Sequence, residues 1–244
     1  MTPEELAALA RQKRSLLCVA LDPADDAFGT RERLTPAVAE SLLYRVIEES
    51  LPYAIAYKAN IAFYERWGSA GWDLLKRIRL TLPSETLTIA DAKRGDIRHT
   101  SQAYAEAFFD ELGFDAITVH PYLGWEALEP FTQRAGKWVF VLLRTTESSP
   151  WQEQVWRHIL QEKPTHSSAY IGWVWGAQHE EELWTLRKEY PEDWLLMPGF
   201  GLQGGRLNPL LPLYPALIVV GRAILRSPSS IREWAAESAK ALPI

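Results

Sequence analysis

Two spacings of apolar residues alternate along the chain. Short, nearly unbroken apolar runs, such as Leu16-Leu17-Cys18-Val19-Ala20-Leu21 and Trp138-Val139-Phe140-Val141-Leu142-Leu143, are separated by longer stretches in which apolar residues return every three or four positions. A continuous apolar run of this length reads as a strand buried on both faces, the situation of a parallel sheet. The longer spacing is that of a helix with one buried side; Leu42, Leu43, Val46 and Ile47 are an example. The pattern predicts strands at 15–22, 53–60, 86–93, 116–120, 138–145, 169–176, 194–198 and 216–220. Helices are predicted at 3–14, 35–50, 61–80 with a break near Gly68 or Gly71, 97–112, 124–134, 151–161, 178–189 and 228–241, with a short segment at 206–211. Gly113 and Gly136 stand where left-handed C-caps are expected.

Eight strand–helix units in strict alternation imply right-handed crossovers and a parallel sheet. No linker or low-complexity tract interrupts them. The expected fold is therefore α/β, a single (β/α)8 TIM barrel domain over 1–244 with a short N-terminal helix; a doubly wound open sheet is the runner-up. The polar residues favour the barrel. Asp22, Lys58, Asp91 with Lys93, His120, Thr145, Gln203 and Arg222 all fall at or just after the C-terminal ends of strands. A barrel brings those ends to one mouth, whereas an open sheet scatters them.

Charge and cysteine content narrow the setting. The formal net charge of -5 gives no general basic surface for nucleic acid, so an anionic ligand needs a local positive site. The single cysteine, Cys18, lies in an apolar run and reads as a buried structural thiol. No disulfide can form within the chain, and a reducing, cytoplasmic setting is expected. The start of the chain is acidic without an apolar signal core, and no apolar run reaches the roughly 18 residues of a membrane span. The eleven tryptophans, several in predicted helices, are read as packing and possible interface residues.

The densest chemistry is Asp91-Ala92-Lys93-Arg94-Gly95-Asp96. Side chains two apart on a strand share a face, so Asp91 and Lys93 point the same way. Gly95 allows the backbone to turn, and Asp96 follows on the loop. With Asp22 and Lys58 these residues form a charged set of alternating sign, in which each charge offsets its neighbour's desolvation. A lysine among carboxylates stays protonated; it is a cation and proton donor rather than a Schiff-base nucleophile. The bland readings are an inert ion-pair ring, and Asp96 as a helix cap. A second set is a phosphate cradle: the glycine-rich stretch Gly199–Gly205 with Gln203, and Gly221-Arg222 after the last strand. Barrels commonly hold phosphate in the loops after strands seven and eight, and arginine can chelate it bidentately. Gly199 to Gly204 also matches G-x-G-x-x-G, but only one strand follows and Ile224 stands where a dinucleotide fold needs an acid. The histidines show no metal-ligand spacing, and His120 reads as a packed strand-end residue.

Asp91-Ala92-Lys93-Arg94-Gly95-Asp96-Ile97 followed by Thr100 resembles the signature of the orotidine 5′-phosphate decarboxylases. Leu21-Asp22-Pro23, Tyr57-Lys58-Ala59-Asn60, His120-Pro121-Tyr122-Leu123-Gly124, Pro198–Gly205 and Val220-Gly221-Arg222 fit the same family in order, in a version similar to its longer bacterial type 2 subgroup. The resemblance implies decarboxylation of orotidine 5′-phosphate to UMP, the last step of de novo pyrimidine synthesis, by a homodimer without metal or cofactor. Carried over by position, Lys93 donates the proton to C6, Asp91 lies beside the departing carboxylate, and Lys58 supports the charge network and the ribose. Asp22 binds a ribose hydroxyl. Asp96, Ile97 and Thr100 reach the partner subunit's site, and Gln203, Gly221 and Arg222 take the phosphate. Two places depart from the family: Arg98-His99 replace its usual small residues, and Thr145-Thr146-Glu147-Ser148-Ser149 stands where relatives carry a Thr-Ser-Asn type sequence. The pyrimidine contact is expected from Thr145 or Thr146. Two alternatives remain at this point: a metal-dependent hexulose-phosphate synthase of the same superfamily, which would favour an acid at position 58, and a non-catalytic nucleotide-binding barrel.

Overall fold

The structure, a computed structural model, describes residues 1–29, 33–147, 149–200 and 213–242. Eight parallel strands close into a barrel in sequence order: β1 (Leu17–Ala20), β2 (Ala56–Asn60), β3 (Leu87–Arg94), β4 (Ala116–Val119), β5 (Trp138–Arg144), β6 (Tyr170–Trp175), β7 (Leu195–Met197) and β8 (Ala216–Val220), with β8 paired back to β1. The barrel, not the open sheet, is the fold. Around it stand α1 (Pro3–Lys13), α2 (Pro36–Ser50), α3 (Ala62–Glu65), α4 (Ser69–Thr81), α5 (Arg98–Ala105), α6 (Trp125–Thr132), α7 (Pro150–Gln161), α8 (Glu180–Glu189), α9 (Arg222–Arg226) and α10 (Ile231–Ala239). Among the described residues no helix is long and apolar enough to cross a membrane.

The helices begin where local chemistry allows. Thr2 and Glu5 form a reciprocal capping box on α1, and Pro3 occupies its first turn. Thr35 and Ser149 cap α2 and α7 through their hydroxyls, each followed by proline. The predicted break in the 61–80 helix falls at Gly68, whose φ of 59° is the left-handed conformation that glycine adopts without strain. Three elements differ from the sequence pattern. The 97–112 helix widens after α5 into a π-helical turn, Glu106–Glu111, which periodicity cannot distinguish from α. The 228–241 helix is a 3-10 turn, Pro228–Ser230, followed by α10. The extra helix α9 starts at Arg222, directly after β8, and is too short to show a period. The segment predicted at 206–211 lies outside the described residues.

The strands are apolar because both of their faces are covered: β1, β4 and β8 are buried along their whole length. Cys18 is buried within β1, as expected, and burial pushes its thiol far above the usual range. At the N-terminal end of the barrel the interior is closed by rings. Trp138 stacks on Phe140 with centroids 5.7 Å apart, meets Trp194 edge-on at 6.2 Å, and donates its indole N–H to the carbonyl of Met1 at 2.9 Å. The opposite, C-terminal end opens into a cavity of about 430 Å³.

Candidate active site

The cavity is lined by residues from the ends of β1, β2, β3, β5, β6, β7 and β8, including Asp22, Lys58, Asn60, Asp91, Lys93, Thr145, Thr146, Gly221 and Arg222. Four of its charges form one continuous chain. The Lys58 ammonium donates to both Asp22 carboxylate oxygens, at 3.2 and 3.1 Å, and to Asp91 Oδ2 at 3.0 Å. Lys93 Nζ donates to Asp91 Oδ1 at 2.6 Å. Asp22 is further fixed by the backbone N–H of Asn60 at 2.9 Å.

Position along the chain sets each member's character. The Lys58 side chain is only 5% exposed and Asp91 11%, while Lys93 is 45% exposed and reaches into the cavity. Burial alone would drive the Lys58 ammonium toward neutrality, but the flanking Asp22 and Asp91 carboxylates outweigh it and hold its pKa above the ordinary lysine value. Burial likewise opposes the charge on Asp91. The ammonium groups of Lys58 and Lys93 reverse that and keep its carboxyl well below the usual carboxylate range. The result is a fixed line of alternating charge ending in one accessible ammonium.

The backbone at Lys93 is as specialised as its side chain. Lys93 has φ of 49°, the left-handed region that a lysine seldom occupies, and β3 shifts register against β4 between Ala90 and Arg94. The left-handed residue of the turn is thus Lys93 and not Gly95. Gly95 is needed for a different reason: a Cβ there would lie 2.7 Å from both the carbonyl oxygen and the Cε1 of His120. That close approach also explains His120. It follows the last residue of β4, packs on Gly95, and does not line the cavity. The packed reading of His120 holds; it stands just past the C-terminal end of β4, as placed, but turns away from the cavity lining. The polar residue β4 contributes is Thr118, fully buried, which the sequence reading passed over. Its only sequence signal is one hydroxyl inside the run Ala116-Ile117-Thr118-Val119.

Asp96 is separate from the charge chain. It lies two residues beyond the end of β3, and its carboxylate accepts the backbone N–H of Ile97 at 2.7 Å. Among the described residues no lysine or arginine pairs with it. It does not cap α5 either; that helix has Ile97 at its N-cap and no side-chain capping bond. Ile97, 55% exposed, and Thr100 lie outside this chain's cavity with it.

The loop after β5 is propped from below. Arg144, at the end of β5, is buried and donates from Nη2 to His179 Nδ1 at 3.0 Å. A guanidinium can only donate, so His179 carries its proton on Nε2 and gives it to the carbonyl of Thr145 at 2.8 Å. Gln178 donates to the carbonyls of both Thr145 and Thr146. The Thr145 hydroxyl is engaged by Gln152, at 2.9 Å, and by the Glu147 carbonyl at 3.0 Å. Of the two threonines, Thr146 is therefore the one with its hydroxyl unengaged among the described residues.

At the far rim, Gly221 and Arg222 line the cavity, and the Arg222 guanidinium stands 3.9 Å from Asp26. A Cβ on Gly221 would come within 3.1 Å of Ala20, so the loop packs closely over β1. Arg226, one turn further along α9, pairs with Asp26 at 3.1 Å. Gln203, expected beside them, lies outside the described residues, as do Gly201, Gly204 and Gly205. Among the described residues no group of three or more His, Cys, Asp and Glu side chains could hold a metal ion.

A closed parallel barrel with a cavity that carries a chain of charges at the C-terminal ends of its strands defines a (β/α)8 barrel enzyme. The chain belongs to the orotidine 5′-phosphate decarboxylase / HUMPS family, whose model matches residues 15–236. It is 39% identical over 260 residues to an orotidine 5′-phosphate decarboxylase of Dehalococcoides mccartyi, covering 97% of this chain and 94% of the relative. It is 40% identical to one of Herpetosiphon aurantiacus, covering 99% and 96%. The solved OMP decarboxylase of Leishmania donovani superposes with a TM-score of 0.82 at 32% identity over the full length of both chains.

Proposed function

We propose that the cavity decarboxylates orotidine 5′-phosphate to UMP, with Lys93 as the group that protonates C6. The observation that carries this is the chain Asp22–Lys58–Asp91–Lys93, which ends in one accessible ammonium at the cavity. Loss of CO2 from C6 breaks a C–C bond and leaves its electron pair on that carbon. A fixed ammonium beside C6 stabilises charge that develops only near the transition state. The same ammonium then transfers its proton to C6, forming the C–H bond of UMP, and the neutral amine regains a proton from solvent. Asp91 sits where the substrate carboxylate departs, its own charge held in place by two lysines. The phosphate lies away from the reacting carbon, so Arg222 with Gly221, and Gln203 with them, supplies binding energy remote from the chemistry. Asp22 and Lys58 face the ribose, and Thr146, ahead of Thr145, faces the pyrimidine.

The second element of the proposal is a homodimer with shared sites, in a cytoplasmic setting. Asp96, Ile97 and Thr100 do not line the cavity of their own chain. Ile97, Tyr122, Leu123 and Trp151 are exposed apolar side chains on segments that follow β3, β4 and β5, and Tyr122 meets Trp151 edge-on at 6.4 Å. Such a patch fits a second copy of the chain, which would receive Asp96.

Loss of orotidine 5′-phosphate absorbance on adding the enzyme tests the reaction. Turnover unaffected by EDTA or added Mg²⁺ is expected; a strict requirement for Mg²⁺ would favour the hexulose-phosphate synthase branch of the family. Mixing inactive Lys93→Ala and Asp96→Ala subunits tests sharing. Each mixed dimer would hold one intact site, and random pairing would restore about a quarter of wild-type activity. No recovery on mixing would place Asp96 outside its partner's site.

A further inference from the structure

The structure assigns Thr118 as a positioning residue that sets the geometry between Asp91 and Lys93. This rests on the proposed role of Lys93. The Thr118 side chain is fully buried, and its hydroxyl is used in both directions. Oγ1 donates to Asp91 Oδ1 at 3.0 Å and accepts the backbone N–H of Lys93 at 2.9 Å. Asp91 Oδ1 is the same oxygen that receives the Lys93 ammonium at 2.6 Å. One hydroxyl therefore touches the carboxylate and the backbone of the residue that the carboxylate holds.

The location explains why a side chain is needed there. β3 and β4 pair regularly at Ile89 with Ala116 and at Ala90 with Ile117, then lose register until Arg94 meets Val119. Within that gap the backbone N–H of Lys93 has left the ladder, and Lys93 takes up its left-handed conformation. A buried N–H without a partner is costly. The Thr118 hydroxyl supplies that partner and spends its own proton on Asp91, so the bulge that aims Lys93 and the carboxylate that aims its ammonium are fixed by one group. An apolar residue of the same shape would leave the N–H unpaired and release one of the bonds orienting Asp91, without removing any group that touches substrate.

Thr118→Val removes the hydroxyl at nearly constant volume, and Thr118→Ser keeps it. For Thr118→Val we expect kcat to fall about ten- to a hundredfold, the range for a lost hydrogen bond to a charged group. The Kd for UMP is expected to stay within about twofold, because the ribose and phosphate contacts are made elsewhere. Thr118→Ser is expected to recover kcat to within a few-fold of wild type. Exchange of the C6 hydrogen of UMP for solvent deuterium should slow in the Val variant in parallel with kcat, since it runs through the same lysine and the same carbon. Thermal melting establishes that each variant is folded; if Thr118→Val is not, Thr118→Ala carries the same comparison. Wild-type enzyme that fails to convert orotidine 5′-phosphate would overturn the proposed reaction. Active wild type with a folded Val or Ala variant of unchanged kcat and exchange would overturn the role of Thr118 alone. A loss shared equally by the Ser variant would also overturn it, because the hydroxyl would then not be what matters.

Discussion

The same strands end in opposite ways at the two mouths of the barrel. At the N-terminal end, the first residue of β5 is Trp138, stacked on Phe140 and packed against the rings of Tyr170 and Trp194. At the C-terminal end, β3 closes on Asp91 and Lys93, and β2 places Lys58 between two carboxylates. The aromatic end gains free energy from burial and ring packing. The charged end has to offset the desolvation of every group it buries, and does so by alternating sign. Stability and chemistry are thus divided between the ends of one set of strands, and a change at either end should move one quantity far more than the other.

The sharpest break of that division is Lys93→Ala. Turnover is expected to fall by about 10⁴-fold or more, since the proton donor and the charge facing C6 are lost together. The urea midpoint should move far less than turnover, because the Lys93 side chain is nearly half exposed and Lys58 still pairs with the buried Asp91. Trp138→Ala is the converse. It should cost about 3–5 kcal/mol of stability in urea titration, as large-to-small changes in a packed core do, with kcat of the folded protein close to wild type. Arg222→Ala should weaken UMP binding about tenfold to a hundredfold while leaving uridine binding unchanged, measured by calorimetry. Equal weakening of both ligands would remove Arg222 from the phosphate.

The smallest effect is the pH dependence of the charge chain. Asp91 has a folded pKa below its ordinary 3.8, so its contribution to stability is present above about pH 4 and is lost as pH falls below that. Lys58 has a folded pKa above its ordinary 10.5, so its contribution is present below about pH 10 and is lost as pH rises beyond. Between those limits the stability difference between wild type and Asp91→Asn should be flat, narrowing in acid as Asp91 takes up its proton and in base as Lys58, which Asp91 helps hold charged, loses its own. A step near neutrality would mean that Asp91 is not held ionised as the geometry requires.

The two ends were not equally legible in the sequence. The barrel was legible because eight buried strands alternating with helices leave a double period that few other folds produce. Asp22, Lys58, Asp91 and Lys93 were legible because charges at the ends of apolar runs need a reason to be there. Thr118 was not, since a threonine within a strand is ordinary and its importance depends on a register shift that periodicity does not encode. His120 is the more conspicuous polar residue than Thr118, yet it lies outside β4; the strand ends at Val119, one position before it. The left-handed φ of Lys93 was hidden for the same reason, with Gly95 the obvious candidate for the turn. Arg144 and His179, which prop the loop after β5, are far apart in sequence and meet only in the fold.

The most direct test of the central claim is the fate of C6. Orotidine 5′-phosphate is incubated with wild-type enzyme in D2O, and the product is read by proton NMR. The account predicts one UMP per substrate consumed, carrying deuterium at C6, and no detectable conversion by Lys93→Ala. Conversion by Lys93→Ala at a rate near wild type would contradict it.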